Sequence, residues 1–167
     1  MKMEKELLTG KGLEQLLDMR RASLAMHNGE PHSMELVARI DDVAYINDSR
    51  STFLDASLVS LARIESKIVW ICGPIENGIQ QAHLRELLGQ RIDAVIFFGT
   101  TDRDEDLSAR LDRRVFSTGE LRTAVFLARE LAKPGTTVLF SPACPSGNGF
   151  ANYEERGVEF KRAVRDL

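Results

Sequence analysis

The chain has 167 residues, with 22 Lys and Arg against 25 Asp and Glu and a net charge of −3. That charge argues against nucleic acid as the main partner, which needs a concentrated basic face. With 43% hydrophobic residues the chain can bury a real core, yet no apolar stretch approaches the length of a membrane span.

The N-terminal MKMEKELLTGKG has neither an apolar core nor a small-residue cleavage site, so it does not read as a signal peptide. Residues Gly12–Met26 (GLEQLLDMRRASLAM) predict an amphipathic helix, with Leu13, Leu16, Leu17, Leu24 and Met26 to one side. Met1 and this helix favour a complete chain over a trimmed one. HNGEPHS breaks the pattern. MELVARI and VAYIND then flank Asp41-Asp42 and predict a β-hairpin. SRSTFLDASLVSLARI carries Leu54, Leu58 and Leu61 at helical spacing, with Ser51 or Thr52 available as a cap.

KIVWICG reads as a buried parallel strand, QQAHLRELLGQ as a helix and IDAVIFFG as a second buried strand. DEDLSARL predicts a helix and RRVFS a short strand. STGELRTAVFLARELAKPG predicts a helix, with Ser117 and Glu120 at capping-box spacing and a stop at Pro134-Gly135. TTVLFSPA is the last strand and GVEFKRAVRDL the last helix. The alternation predicts an α/β, Rossmann-like, mostly parallel sheet flanked by helices, with the antiparallel hairpin at its edge.

Ligands of such sheets bind beyond the carboxyl ends of the strands. INDSRST, CGPIENG, FGTTDRD and SPACPSGNG all end there. Asp48, Ser49, Arg50, Ser51 and Thr52 precede a helix, whose free N–H groups suit an anion. The same residues also read as a capped helix beside a surface arginine. Asn152, Glu154, Glu155 and Arg156 read either as site residues or as a capped, charged helix start. There is no P-loop, no G-x-G-x-x-G and no G-x-S-x-G elbow. Cys72 and Cys144 read as buried free thiols of a reducing cytoplasm, and three scattered histidines make no zinc pattern.

Three stretches together resemble one family. INDSRSTFLDASLVSL, SPACPSGNGFANYEERGVEFKRAV and EPHSMELV resemble, in order and spacing, segments of the Mur ligases, on their D-glutamate-adding branch (MurD). The resemblance covers roughly Pro31 to Leu167. It implies a Mur ligase C-terminal-like domain over 31–167, which leaves 1–30 as the N-terminal helical extension. It also implies that the ATP-binding and UDP-sugar-binding domains of the family are not in this chain. No metal and no cofactor are then expected here, although the family uses ATP and magnesium.

By resemblance, the substrate-binding positions are Asp48, Ser49, Arg50, Thr52, Glu76, Ser146, Asn152, Tyr153 and Arg156, with no catalytic residue. Thr52 would face D-glutamate. Several positions depart from the family: Arg50 for Lys, Ser33 for a nucleotide-contacting Arg, Phe53 for Asn, Glu76 near a Lys position, and Gly147 and Gly149 for larger residues. Glu76 would repel a dicarboxylate and is expected to pair with Arg50. The first expectation is therefore a stand-alone, non-catalytic module related to peptidoglycan precursor synthesis. The alternatives are a ligase fragment needing partner domains, or a Rossmann domain with a new small ligand. Expected partners are other Mur ligase domains or a small acidic ligand, without nucleic acid or membrane.

Overall fold

The computed structural model describes residues 30–75, 91–100, 114–147 and 149–167. The helices expected at 12–26, 80–90 and 104–111 lie outside these residues. The described elements are β1 (Glu35–Ile40), β2 (Val43–Asn47), α1 (Leu54–Ala62), β3 (Ile68–Cys72), β4 (Ile92–Phe98), β5 (Arg114–Thr118), α2 (Leu121–Leu131), β6 (Thr137–Phe140) and α3 (Tyr153–Arg165).

β1 and β2 form the expected hairpin. Asp41 and Asp42 both take positive φ, 51° and 61°. That is the backbone a two-residue hairpin turn requires, and Asp is among the residues that tolerate it. The sheet runs β1-β2-β6-β3-β4-β5, antiparallel between β1 and β2 and parallel elsewhere. The predicted fold class is thus the observed one, with β1 as the antiparallel edge.

β3 and β6 are covered on both faces, which explains their continuous apolar runs. Val69, Ile71, Val138 and Phe140 point to one core, where α2 contributes Ala124, Val125 and Ala128, and α3 contributes Phe160, Ala163 and Val164. Ile68, Trp70, Cys72 and Leu139 point to the other, closed by Leu61 of α1 and by Ile64. Helices therefore cover both faces.

Three helix starts differ from expectation. α1 begins at Leu54 behind Phe53, which has no side-chain acceptor and makes no cap, while Ser51, two residues before it, turns its hydroxyl to Asp48. Ser117 lies within β5, so no capping box forms with Glu120, and α2 starts uncapped at Leu121. α3 begins four residues before Gly157, at Tyr153, behind an Asn152 cap.

Candidate functional site

β6 lies between β2 and β3, and its register brings distant motifs together. Asn47 pairs with Phe140, and Phe140 with Ile71. The next residues on each strand, Asp48, Ser141 and Cys72, are consequently neighbours at the carboxyl edge. The Asp48 N–H donates to Phe140 O at 2.8 Å, and the Ser141 N–H donates to Ile71 O at 3.1 Å.

Asp48 is 2% exposed, and both its carboxylate oxygens are engaged. Oδ2 accepts from the hydroxyls of Ser51 and Ser141, each at 2.7 Å, and Oδ1 accepts from the Met34 N–H at 3.1 Å. A buried carboxylate needs such donors, so Asp48 acts here as the knot tying three loops. Ala143, in the left-handed region at φ 57°, adds a tie by donating its N–H to Ser51 O at 3.1 Å.

Arg156 crosses from α3 to the same knot and is 1% exposed. Its Nη2 donates to Ser49 O at 3.1 Å and to Cys144 O at 2.9 Å. Its Nε has no hydrogen-bond partner, and no ion pair reaches it among the described residues. Burial lowers its pKa, partly offset by the neighbouring Cys144. Cys72 and Cys144 are free and buried, and burial raises both thiols, Cys72 well above the ordinary value. Gly73 makes room for Cys144, since a Cβ there would lie 2.3 Å from its Sγ.

A second network adjoins the first. His32 Nδ1 lies 3.1 Å from Ser49 Oγ and 3.2 Å from Asn47 Nδ2. Asn47 Nδ2 donates to Glu35 Oε2 at 3.0 Å, and Asn47 Oδ1 accepts the Ser49 N–H at 3.2 Å. Lys161 of α3 closes the network with an ion pair to Glu35 at 3.2 Å. Burial alone would raise the Glu35 pKa, but the His32 N–H, the Asn47 amide and Lys161 outweigh it and hold it below 4.5. His32 lies in the EPHSMELV stretch that carries the resemblance, but its part in this network shows only in the tertiary contacts.

Beside the knot lies a groove of about 440 Å³, lined by Thr52, Phe53, Leu54, Pro74, Ile75, Ala143, Cys144 and Pro145. It opens at the uncapped N-terminus of α1. Of the nine residues expected at the site, Thr52 lines this groove. Asp48, Ser49 and Arg156 lie behind it in the knot. Asn152 caps α3 by accepting the Glu155 N–H at 2.8 Å, and Tyr153 packs edge-on against His32 at 5.9 Å. Ser146 is half-buried in the loop after β6. Glu76 lies outside the described residues. Arg50 pairs with Glu30 at 3.0 Å, both side chains largely exposed. Among the described residues no cluster of His, Cys, Asp and Glu could hold a metal ion, and no helix is long and apolar enough to cross a membrane.

No family model matches the chain. Curated relatives do. It is 37% identical over 169 residues to the UDP-N-acetylmuramoylalanine–D-glutamate ligase of Christiangramia forsetii, covering 98% of this chain and 38% of that protein. The ligase of the same name from Citrifermentans bemidjiense is 41% identical over 139 residues, covering 82% and 30%. That of Bacteroides fragilis is 36% identical over 154 residues, covering 90% and 34%. The chain thus spans about a third of the length of these relatives. Among solved structures, a murein peptide ligase from Psychrobacter arcticus aligns with a TM-score of 0.49 and 17% identity, over 84% of this chain and 32% of that one, too loose a likeness to add to the sequence match. By sequence the chain belongs to the Mur ligase family, where it matches the C-terminal part of the UDP-N-acetylmuramoylalanine–D-glutamate ligases.

Proposed function

We propose that this chain is the amino-acid-holding unit of a D-glutamate-adding Mur ligase, active only together with units that carry the nucleotide and the UDP-sugar. The observation that carries this reading is the extent of the match: nearly the whole chain aligns, at 37% identity, with little more than a third of a ligase of that name. The geometry is compatible. The groove places Thr52 and the open end of α1 at the carboxyl edge of the sheet, where free N–H groups favour a carboxylate. Arg50 precedes Thr52 by two residues, and its exposed pair with Glu30 is worth only about 0–1 kcal/mol, so an anionic ligand can compete for it.

The described residues do not fit a magnesium-nucleotide centre. Asp48, the buried carboxylate at this edge, has its oxygens taken by Ser51, Ser141 and Met34. ATP-driven activation is therefore assigned to a partner unit, and no step of it is placed here.

A non-catalytic binding module is the second reading. It is favoured by the groove lining, which holds no cation among the described residues to meet two carboxylates. Calorimetric titration with D-glutamate and L-glutamate separates the two. The ligase reading expects D-selective binding that shifts the Thr52 amide; no binding of either enantiomer supports the module.

A further inference from the structure

The hydrogen-bond network around Asn47 fixes the protonation of His32. Asn47 is fully buried. Its Oδ1 faces the Ser49 N–H, which can only donate, and its Nδ2 faces the Glu35 carboxylate, which accepts. A flipped amide would set donor against donor and acceptor against acceptor. The remaining Nδ2 hydrogen is aimed at His32 Nδ1, 3.2 Å away. Nδ1 must therefore carry a lone pair, and the ring proton belongs on Nε2.

His32 also grips the loop that opens onto the groove. Its carbonyl accepts the Arg50 N–H at 3.0 Å, and its ring meets Ser49 Oγ at 3.1 Å. Two residues on, Met34 donates to Asp48. The ring has little room to retreat, because it lies against the bare Cα of Gly157. We propose that His32 is a positioning residue: as the neutral Nε2–H tautomer it supports the 48–52 loop, and protonation disturbs that loop through the Asn47 amide.

Protonation makes both ring nitrogens donors. The new Nδ1 hydrogen then opposes the Asn47 amide hydrogen. Ser49 Oγ can accept it, but Asn47 cannot turn away without losing both Ser49 and Glu35. Three charged groups around the ring come from two elements. Glu35 of β1 and Glu154 of α3 favour the imidazolium, whereas burial and Lys161 of α3 oppose it more strongly, so the ring resists protonation. Arg50, Asn47, Ser49, Tyr153 and Gly157 complete the surroundings. The functional meaning of this disturbance rests on the ligase reading above, since this loop carries Thr52; the tautomer and its coupling to the loop do not.

The test is long-range ¹H–¹⁵N spectroscopy of the full chain, from about pH 8 to about pH 5 where histidine titrates, without any ligand. Expected are a His32 ring protonated at Nε2, a midpoint below 6.5, and amide shifts of Ser49, Arg50, Ser51 and Thr52 that follow the same midpoint. His32→Asn places an acceptor where Nδ1 stands and tolerates the φ of 66°. In that variant the four amides should stay at their neutral-pH positions over the whole range. A proton on Nδ1 in the parent chain overturns the proposal, as does an undiminished loop shift in His32→Asn. Should that variant not fold, the tautomer and the co-titration in the parent decide alone. Failure of D-glutamate to bind would count against the ligase reading and leave this result untouched.

Discussion

Gly157 and His32 occupy one space: a Cβ on Gly157 would lie 2.3 Å from His32 Nδ1, and equally close to Ser49 Oγ. Glycine inside a helix ordinarily costs about 1 kcal/mol relative to alanine. Here the exchange should run the other way. Gly157→Ala must push the ring or the serine out of a filled corner, and overpacking of this kind costs about 1–3 kcal/mol. Urea unfolding should show the variant less stable than the parent, with the Ser49 amide displaced. A gain in stability would mean that the corner yields easily.

Arg156 holds two carbonyls at once, Ser49 O and Cys144 O, and so binds the loop after β2 to the loop after β6. Lysine keeps the charge but not the planar fork. Arg156→Lys is expected to lose about 1–2 kcal/mol, the worth of a charge-assisted bond left unmade in the interior. Thermal or urea unfolding measures it. An unchanged midpoint would show that the charge, not the fork, holds the loops.

Acidification should weaken the fold in two stages. His32 has its pKa lowered from 6.5, first by burial and then by Lys161, so the unfolded chain takes up that proton more readily. Its contribution is complete above 6.5 and declines as pH falls from there towards the folded value. Glu35 is held below 4.5, so its contribution is complete above 4.5 and is lost as pH falls through its folded value. Urea midpoints measured down the pH scale should drop in both windows, and His32→Asn should abolish only the first drop.

Thr52 is the site residue that reaches the groove. Thr52→Val keeps the shape and removes the hydroxyl. On the ligase reading it should weaken D-glutamate about tenfold, the loss of one hydrogen bond worth about 1–1.5 kcal/mol, with no change in unfolding midpoint. Equal affinity in the two chains would remove Thr52 from the site.

The sheet was legible because strands buried on both faces leave continuous apolar runs, as in Ile68–Cys72. The meeting of INDSR with SPAC was also legible, since β6 lies next to β2 and both motifs follow strand ends. Helix starts were less so. Ser51 is as good a cap as any serine, but the helix starts later, with Phe53 at the cap position, and the Ser51 hydroxyl donates to the buried Asp48 carboxylate. Ser117 has capping-box spacing yet belongs to a strand paired with β4. The contact of Arg50 with Glu30, twenty residues earlier, was not legible, because only the fold brings the two together; the expected pairing with Glu76 falls outside the described residues. His32 sits in the EPHSMELV stretch, but its role was not legible, because Asn47 and Ser49, the partners of its ring, are brought to it by the fold and not by sequence spacing.

The most direct measurement is reconstitution. The chain is mixed with the N-terminal two-thirds of the Bacteroides fragilis ligase, a relative that it matches over its final part at 36% identity. Incorporation of labelled D-glutamate into UDP-N-acetylmuramoyl-L-alanine is then followed with ATP and magnesium. The account predicts ATP-dependent incorporation by the mixture and none by either part alone. Two well-folded parts that associate yet incorporate no D-glutamate would contradict it and leave the non-catalytic module standing.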